Sequence, residues 1–194
     1  MPTPATSPPY AVGLEPEATN ERTPEDDRRI ARALVEHFAS VWRALRRLGV
    51  TERDADDAAQ QVFVSFANRI RIIEVGRERP YLLGIAAHTA ANVRRRQARA
   101  DEPREDIEPT PSSSRDPEAL LEQRQRRERL DRALSTLPNE QRQVFVLYEL
   151  EGFSLPEIAA ALEIPLGTAT SRLRRARAGF EAWVTENLPP PGES

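Results

Sequence analysis

Apolar residues recur every three or four positions along most of this chain, which is the period of an amphipathic α-helix. The clearest stretch runs from residue 154 to residue 177 and predicts two closely joined helices. Their apolar stripes are Leu155, Ile158, Ala159 and Leu162 in the first helix and Leu166, Ala169, Leu173, Ala176 and Phe180 in the second. Ser154 and Glu157 form a capping-box pattern, and Pro165 suits the start of the second helix.

The second of these helices is small and polar at its start and basic after that. The side chains away from its apolar stripe are Thr168, Thr170, Ser171, Arg172, Arg174, Arg175 and Arg177. Small side chains let a backbone approach DNA bases, while hydroxyls and arginines hydrogen-bond to base edges or phosphates. A solvated basic surface helix is the plainer alternative. The capped helix directly before it favours a helix-turn-helix that binds DNA in the major groove.

Earlier in the chain the same periodicity predicts three helices, at about 28–48, 53–70 and 81–99. The first has the stripe Ile30, Leu34, Phe38, Val41, Leu45 and Leu48. The second buries Ala55, Ala59, Val62, Phe63 and Phe66, which leaves Asp56, Asp57, Gln60 and Gln61 outside. The third buries Leu82, Ile85, Ala86, Thr89 and Val93. Two more helices are expected before residue 154, one at about 117–135 and one capped by Asn139 and closed by Gly152.

Composition divides the chain into two folded parts. Residues 1–27 and 187–194 are expected to be disordered tails because they contain few apolar residues. Residues 101–119, rich in proline and serine, predict a flexible linker between helical domains at 28–100 and 120–186. The predicted fold class is therefore all-α, with two small helical domains and a helix-turn-helix in the second.

Charge is unevenly distributed although the whole chain carries only −3. Residues 28–100 hold fifteen arginines against seven acidic residues, which gives +8. Four of these arginines lie at the end of the third helix, where the candidate contact residues are His88, Asn92, Arg94, Arg95, Arg96 and Arg99. Arginines at a helix C-terminus also stabilise the helix dipole, but this cluster is denser than capping requires. Asn and His within it suggest contacts with nucleic acid.

Several classes of function find no support in the residues. The chain has no cysteine and two histidines, and no nucleophile–base set, phosphate loop or metal-ligand spacing stands out. We therefore expect neither an enzyme, nor a cofactor, nor a metal, nor a small-molecule substrate. No long apolar run or hydrophobic signal core is present, so we expect a soluble cytoplasmic protein without membrane insertion.

Specific motifs add a resemblance to a known family. Residues 56–63 (DDAAQQVF), 81–86 (YLLGIA) with the arginines that follow, 137–138 (LP), 152–159 (GFSLPEIA) and 165–173 (PLGTATSRL) resemble sigma factors of RNA polymerase in the extracytoplasmic-function (ECF) group. The resemblance covers about 28–100 and 120–184. Gln61, Tyr81, Ala87 with His88, and Glu163 depart from the residues that are usual in the family.

The resemblance implies a promoter-specificity subunit whose partners are core RNA polymerase and promoter DNA. It assigns polymerase binding to the helix with Asp56, Asp57, Gln60 and Gln61. It assigns the −10 element to the basic end of the third helix and the −35 element to the final helix. Loop 71–80 is a candidate site for an unstacked base. Many relatives are held inactive by an anti-sigma factor, which makes such a protein a further candidate partner.

Two other functions remain compatible with the residues alone. A stand-alone helix-turn-helix repressor or activator would have the same recognition helix but would need a dimer interface or a ligand domain. A two-domain adaptor that binds polymerase or another partner without recognising a DNA sequence is the second alternative.

Overall fold

The computed structural model describes residues 22–97 and 117–188, and all regular secondary structure in these ranges is helical, which confirms the predicted fold class. The helices are α1 (Pro24–Arg47), α2 (Glu52–Asn68), α3 (Glu78–Gln97), α4 (Pro117–Thr136), α5 (Asn139–Phe145), α6 (Leu155–Ala161) and α7 (Leu166–Asn187). A 3₁₀ turn covers Ile70–Ile72 between α2 and α3. Helix α5 continues directly into a π-helical turn, Val146–Leu150.

Helix α1 begins four residues earlier than its apolar stripe suggested. The Thr23 hydroxyl accepts a hydrogen bond from the Asp26 amide, and the Asp26 carboxylate accepts one from the Thr23 amide at 3.0 Å. This capping box satisfies two backbone groups that the helix itself leaves unpaired. The predicted disordered tail at 1–27 is therefore wrong for residues 24–27, and residues 1–21 lie outside the described part.

The other predicted boundaries differ by a few residues at each end. The last part of the predicted linker, 117–119, belongs to α4, and residues 98–116 lie outside the described ranges. Asn139 is not a cap, because Pro138 holds the extended N-cap position and Asn139 is already helical. Residue 187, assigned to a tail, ends α7, and the residues from 189 onward are likewise outside the described ranges.

Two groups of helices each pack around apolar side chains. Helices α1, α2 and α3 pack against one another around the fully buried Leu45, Phe66 and Leu82. Helices α4, α5 and α6 pack against α7, with Leu134 and Leu147 fully buried. Burying each side chain of this size contributes about 1.5–3 kcal/mol. We call these groups the first unit and the second unit.

Three residues of the predicted stripes are exposed rather than buried. Leu34 and Phe38 are 43% and 41% exposed because they line the outer edge of the contact between α1 and α2. The Phe38 ring still stacks on Phe63, with 6.1 Å between the ring centroids. Leu166 is 50% exposed because it lies in the first turn of α7, and the buried stripe of that helix begins one turn later at Ala169.

The two units lie against each other through α3 and α6, so their apolar cores form one continuous cluster. A Cβ atom placed on Gly84 of α3 would lie 3.6 Å from the Cβ of Ala161 on α6. Sequence patterns predicted two domains on a linker and gave no sign of this contact. Among the described helices, none is both long enough and apolar enough to cross a membrane.

Candidate nucleic-acid interface

Helix α6 is fixed at its start by the predicted capping box. The Ser154 amide donates to the Glu157 carboxylate at 2.9 Å, and the Glu157 amide donates to the Ser154 hydroxyl at 3.4 Å. Hydrogen bonds from the Ser154 backbone and hydroxyl hold the pKa of the Glu157 carboxyl below its usual value. The short helix that supports α7 therefore has a defined start.

The turn between α6 and α7 uses an unusual backbone conformation at Glu163. This residue has φ of +53°, in the left-handed region that glycine usually occupies. The Glu163 amide donates to the Ala160 carbonyl at 3.3 Å and the Ile164 amide to the Ala159 carbonyl at 2.9 Å. These two bonds are those of a Schellman motif, so the sharp turn forms in the expected place without a glycine.

Helix α7 has one buried face and one exposed face. Ala169, Leu173 and Ala176 are buried, as predicted. Thr170, Arg174 and Arg175 are exposed on the other side, and the two arginines form no hydrogen bond or ion pair with the described residues. They are therefore available to an external partner. Their predicted exposure is confirmed, whereas their contact with DNA stays a prediction.

The other polar residues of α7 are already engaged within the second unit. Arg172 pairs with Glu140, and Arg177 pairs with Glu149 at 2.6 Å while its guanidinium lies 5.1 Å from the centre of the Tyr148 ring. The hydroxyls of Thr170 and Ser171 donate to carbonyls one turn earlier, those of Leu166 and Thr168. Thr168 is half-buried. The structure thus separates two unpaired arginines from two that are held by carboxylates.

The basic end of α3 is only partly exposed. Asn92, Arg95 and Arg96 are exposed, and Arg95 donates to the Asn92 side-chain oxygen at 2.6 Å. Arg94 is half-buried and donates to the Leu48 carbonyl at 3.3 Å, and burial lowers the pKa of its guanidinium.

His88 is exposed but also contacts the second unit, because its Nε2 donates to the Ala161 carbonyl of α6 at 2.7 Å. The predicted outer face is thus divided between solvent and the second unit. Arg99, the remaining residue of that set, lies outside the described residues.

The acidic and amide face of α2 is exposed as predicted. Asp56, Asp57, Gln60 and Gln61 all lie on the solvent side of the helix. The Trp42 indole of α1 donates to the Asp56 carboxylate at 2.9 Å, which orients one member of this face. Its contact with polymerase stays a prediction.

Sequence reasoning missed four charged residues that meet between the two units. Arg47 and Arg79 of the first unit pair with Glu151 of the second, at 3.1 and 3.0 Å. Arg142 of α5 donates to the carbonyls of Arg46 and Arg47, at the C-terminus of α1. We call Arg47, Arg79, Arg142 and Glu151 the interdomain cluster.

Burial changes the titration of two members of the interdomain cluster. Burial raises the pKa of the Glu151 carboxyl, although Arg47 and Arg79 act in the opposite direction. Burial and the nearby Arg94 lower the pKa of Arg142 to about 10. A signal was present for Arg142, because it lies three and four positions before the buried Phe145 and Val146 and so on the apolar side of its helix.

Within the described ranges, no three histidine, cysteine, aspartate or glutamate residues lie close enough together to hold a metal ion. The geometry instead presents a capped support helix, a sharp turn and a following helix with an unpaired basic face. These features define a helix-turn-helix protein of the DNA-binding type.

Comparison with known proteins narrows this class. The family model described as "Sigma-70, region 4" matches residues 127–178. The ECF RNA polymerase sigma factor SigE of Mycolicibacterium smegmatis is 29% identical over 154 residues, which cover 78% of this chain and 60% of that protein. The ECF RNA polymerase sigma-E factor of Escherichia coli K12 is 28% identical over 173 residues, which cover 83% of this chain and 90% of that protein.

Solved structures show the same fold. The sigma factor RpoE of Bartonella quintana, solved with the anti-sigma factor NepR, is 20% identical with a TM-score of 0.62, covering 82% of this chain and 99% of that one. CnrH, solved with the cytosolic domain of CnrY, is 25% identical with a TM-score of 0.61, covering 83% of this chain and 90% of that one. Over most of its length this chain is therefore similar to RNA polymerase sigma factors of the ECF group.

Proposed function

We propose that this protein is a promoter-specificity subunit of bacterial RNA polymerase. It binds the core enzyme, recognises the −10 and −35 elements and helps to open the DNA, and it acts in the cytoplasm without catalysing a reaction itself. The observation that supports this most strongly is the exposed face of α7, where Arg174 and Arg175 have no partner among the described residues. The similarity to ECF sigma factors supports the remaining roles.

In this proposal α7 binds the −35 element in the major groove. Arg174 and Arg175 make the contacts to bases, because only an arginine free of a carboxylate can donate two hydrogen bonds to guanine without first breaking an ion pair. Arg172 and Arg177 instead set the orientation of the helix through Glu140 and Glu149. Thr168, Thr170 and Ser171 lie at the end of α7 that enters the groove.

The first unit would bind the −10 element and the core polymerase. Asn92, Arg95 and Arg96 are exposed at the end of α3 and offer donors to DNA. Arg99 is the further arginine that the sequence assigns to this set. Asp56, Asp57, Gln60 and Gln61 would contact the polymerase from the neighbouring helix α2. The domain at residues 28–100 would therefore bind the polymerase and the −10 element. The domain at residues 120–186 would bind the −35 element.

An anti-sigma factor completes the set of proposed partners. CnrH was solved in a complex with the cytosolic domain of CnrY. By analogy we infer that an anti-sigma factor binds this chain and prevents it from binding the polymerase. No small-molecule substrate is part of the proposal.

The experiment that tests the function is transcription in vitro. Purified protein is added to sigma-free core polymerase on a pooled genomic template, and the start sites are mapped. Discrete starts that share two spaced upstream elements support the proposal. Selective binding to DNA by the protein alone, with no start sites at all, would instead support a stand-alone regulator.

Arg175→Ala tests the role of the recognition helix. Loss of one two-hydrogen-bond contact to a base costs about 1–3 kcal/mol, or about 5- to 150-fold in affinity, and relaxes selectivity at that base pair. Arg126→Ala is the matched control, because it removes the same charge from an exposed arginine of α4 that pairs with Glu122. Unchanged −35 selectivity and affinity in Arg175→Ala would show that this face is not the DNA interface.

A further inference from the structure

Arg29 of α1 binds the segment between α2 and α3 through its guanidinium group. Its Nη1 donates to the Ile70 carbonyl at 3.1 Å, and its Nη2 donates to the carbonyls of Ile73 and Glu74 at 2.7 and 2.9 Å. Its Nε donates to the Glu78 carboxylate, at the start of α3, at 2.5 Å. One side chain therefore links α1 to the 3₁₀ turn, to the turn that follows it and to the first residue of α3.

These contacts are shielded from water. The side chain of Arg29 is 16% exposed and that of Glu78 is 15% exposed. Burial acts to raise the pKa of the Glu78 carboxyl, but hydrogen bonds from its own amide and from Arg29 outweigh burial and lower the pKa, so the carboxylate is charged at neutral pH. Hydrogen bonds between charged groups are stronger than neutral ones, and more so away from solvent. Arg29 therefore restricts the loop to one conformation.

The loop held in this way exposes two large aliphatic side chains. Ile70 and Ile73 are buried, at 1% and 3% exposure, whereas Ile72 and Val75 are 59% and 80% exposed. The two buried isoleucines and Arg29 fix the backbone around them, so Ile72 and Val75 cannot turn inward. An aliphatic pair that is kept in solvent gains hydrophobic contact only when a partner binds.

A base that has left its stack is a partner of the right chemistry. Apolar side chains pack against the faces of unstacked bases. Arg71, next to Ile72, is exposed and forms no hydrogen bond or ion pair with the described residues, so its guanidinium is available to a phosphate of the same strand. Residues 69–77 contain three arginines and one glutamate, a balance that favours a nucleic-acid strand over an acidic partner.

We propose that Arg29 is a positioning residue for the −10 element, holding loop 71–80 in the conformation in which Ile72 and Val75 contact an unstacked base of the opened strand. This inference rests on the proposed function, because it concerns how the first unit keeps the DNA open. Arg29 does not contact DNA itself, since its donors are used within the protein. It acts by reducing the loss of loop freedom that accompanies binding.

Arg29→Met tests the proposal in the whole chain bound to core polymerase. Methionine keeps an unbranched side chain but none of the hydrogen bonds. The probe is a promoter whose start site has been mapped, and opening is followed by the permanganate reactivity of unpaired thymines. The opening rate is expected to fall at least about tenfold, because binding weakens in proportion to the fraction of loops in the competent conformation. Affinity for the closed duplex should change less than about twofold, since the −35 contact lies in the second unit.

Arg32→Met is the matched control for the lost charge. Arg32 lies about one turn further along α1, is exposed and forms no hydrogen bond or ion pair with the described residues. Opening by this variant should stay within about twofold of wild type. An equal loss in Arg32→Met and Arg29→Met would attribute the effect to net charge and overturn the proposal.

Arg29→Lys separates the charge from the shape of the side chain. Lysine keeps the positive charge and can pair with Glu78, but it lacks the planar fork of donors that reaches the three carbonyls as well. Opening by Arg29→Lys should therefore remain at least about fivefold slower than wild type. Full recovery of the rate by lysine would show that the hydrogen bonds to the loop are not what matters.

A double-mutant cycle distinguishes positioning from a general loss of stability. Replacing Ile72 and Val75 by serine should slow opening at least about tenfold in the wild type but less than about twofold in Arg29→Met, because the loop of that variant no longer presents these side chains. Equal losses in both backgrounds would show that Arg29 acts independently of the two aliphatic residues, which contradicts the proposal.

Hydrogen exchange locates the effect of Arg29→Met within the first unit. The Ile73 amide donates to the Ile70 carbonyl and the Arg77 amide to the Glu74 carbonyl, and both should exchange at least about tenfold faster. The amides of α2 and α3 should be unchanged. Unchanged loop amides, or faster exchange throughout both helices, would show that Arg29 does not act on the loop specifically.

The same measurements separate this inference from the proposed function. If the wild type opens no promoter with core polymerase, the proposed function is wrong and the role of Arg29 falls with it. If the wild type opens promoters and Arg29→Met opens them equally fast, the function stands and only the role of Arg29 is wrong.

Discussion

Glu163→Gly should stabilise the protein, although it removes a side chain and adds backbone freedom. Glu163 ends α6 with φ of +53°, a conformation in which the Cβ of any residue except glycine crowds the neighbouring carbonyl. Its side chain is exposed and has no hydrogen bond or ion pair with the described residues. The substitution therefore changes the backbone strain and removes no contact.

The magnitude follows from two opposing contributions. A non-glycine residue in the left-handed region costs about 1–2 kcal/mol, which glycine avoids. Glycine gives the unfolded chain more freedom, which costs about 0.5–1 kcal/mol. The net gain is about 0.5–1 kcal/mol, or about 1–4 °C in the melting temperature of a chain of this size. The same turn after α1 has a glycine at this position, Gly49, with φ of +93°. That turn shows the unstrained arrangement that Glu163→Gly should produce after α6.

Thermal and urea unfolding followed by circular dichroism would measure this gain. Glu163→Ala is the matched control, because it removes the same carboxylate but keeps a Cβ and should bring no stabilisation. An equal shift in the alanine and glycine variants would attribute the effect to the lost charge. A destabilised glycine variant would refute the assignment of strain to this turn.

Other substitutions test the support of the site and the core. Ser154→Ala removes the cap of α6 and should cost about 1 kcal/mol at neutral pH. The pKa of the Glu157 carboxyl is lower in the folded state than its ordinary value of 4.5, so the ionised carboxylate stabilises the fold above pH 4.5. This stabilisation is lost as the pH falls through the pKa of the folded state. The difference in free energy of unfolding between Ser154→Ala and wild type, measured by urea titration, should therefore shrink in acid. Phe66→Ala should cost about 3–5 kcal/mol by opening a cavity in the first unit. Phe38→Ala, on the exposed edge of α1, should cost clearly less in the same unfolding assay, and equal losses would contradict the assigned burial.

Local patterns in the sequence predicted most of the helices and the face of the recognition helix. The capping box of Ser154 and Glu157 and the buried stripe of α7 depend on residues three or four positions apart, which a sequence displays directly. The exposure of Leu34 and Phe38 could not be predicted this way. An apolar stripe shows which side of a helix is hydrophobic but not how far the neighbouring helices extend along it.

The contact between the units was missed for a different reason. Glu151 and Arg79 are 72 residues apart, and no local pattern relates a carboxylate to a guanidinium at such a separation. The composition of residues 101–119 suggested a flexible linker and therefore independent domains. Linker composition does not show whether the surfaces of the two domains fit each other. The assigned contacts of the exposed residues with DNA and polymerase stay predictions, because exposure shows that a side chain is available to a partner but not which partner it meets.

The capping of α1 by Arg142 also has a consequence for the order of events during synthesis. The two partners are 95 residues apart, so at about 5–20 residues per second Arg142 is made about 5–20 seconds after Arg47. The three helices of the first unit share buried residues with one another and can assemble during that interval. The carbonyls at the end of α1 must then be hydrated by water until the second unit arrives. Docking of the units is accordingly the last folding event, and closing the long intervening loop makes it the slowest.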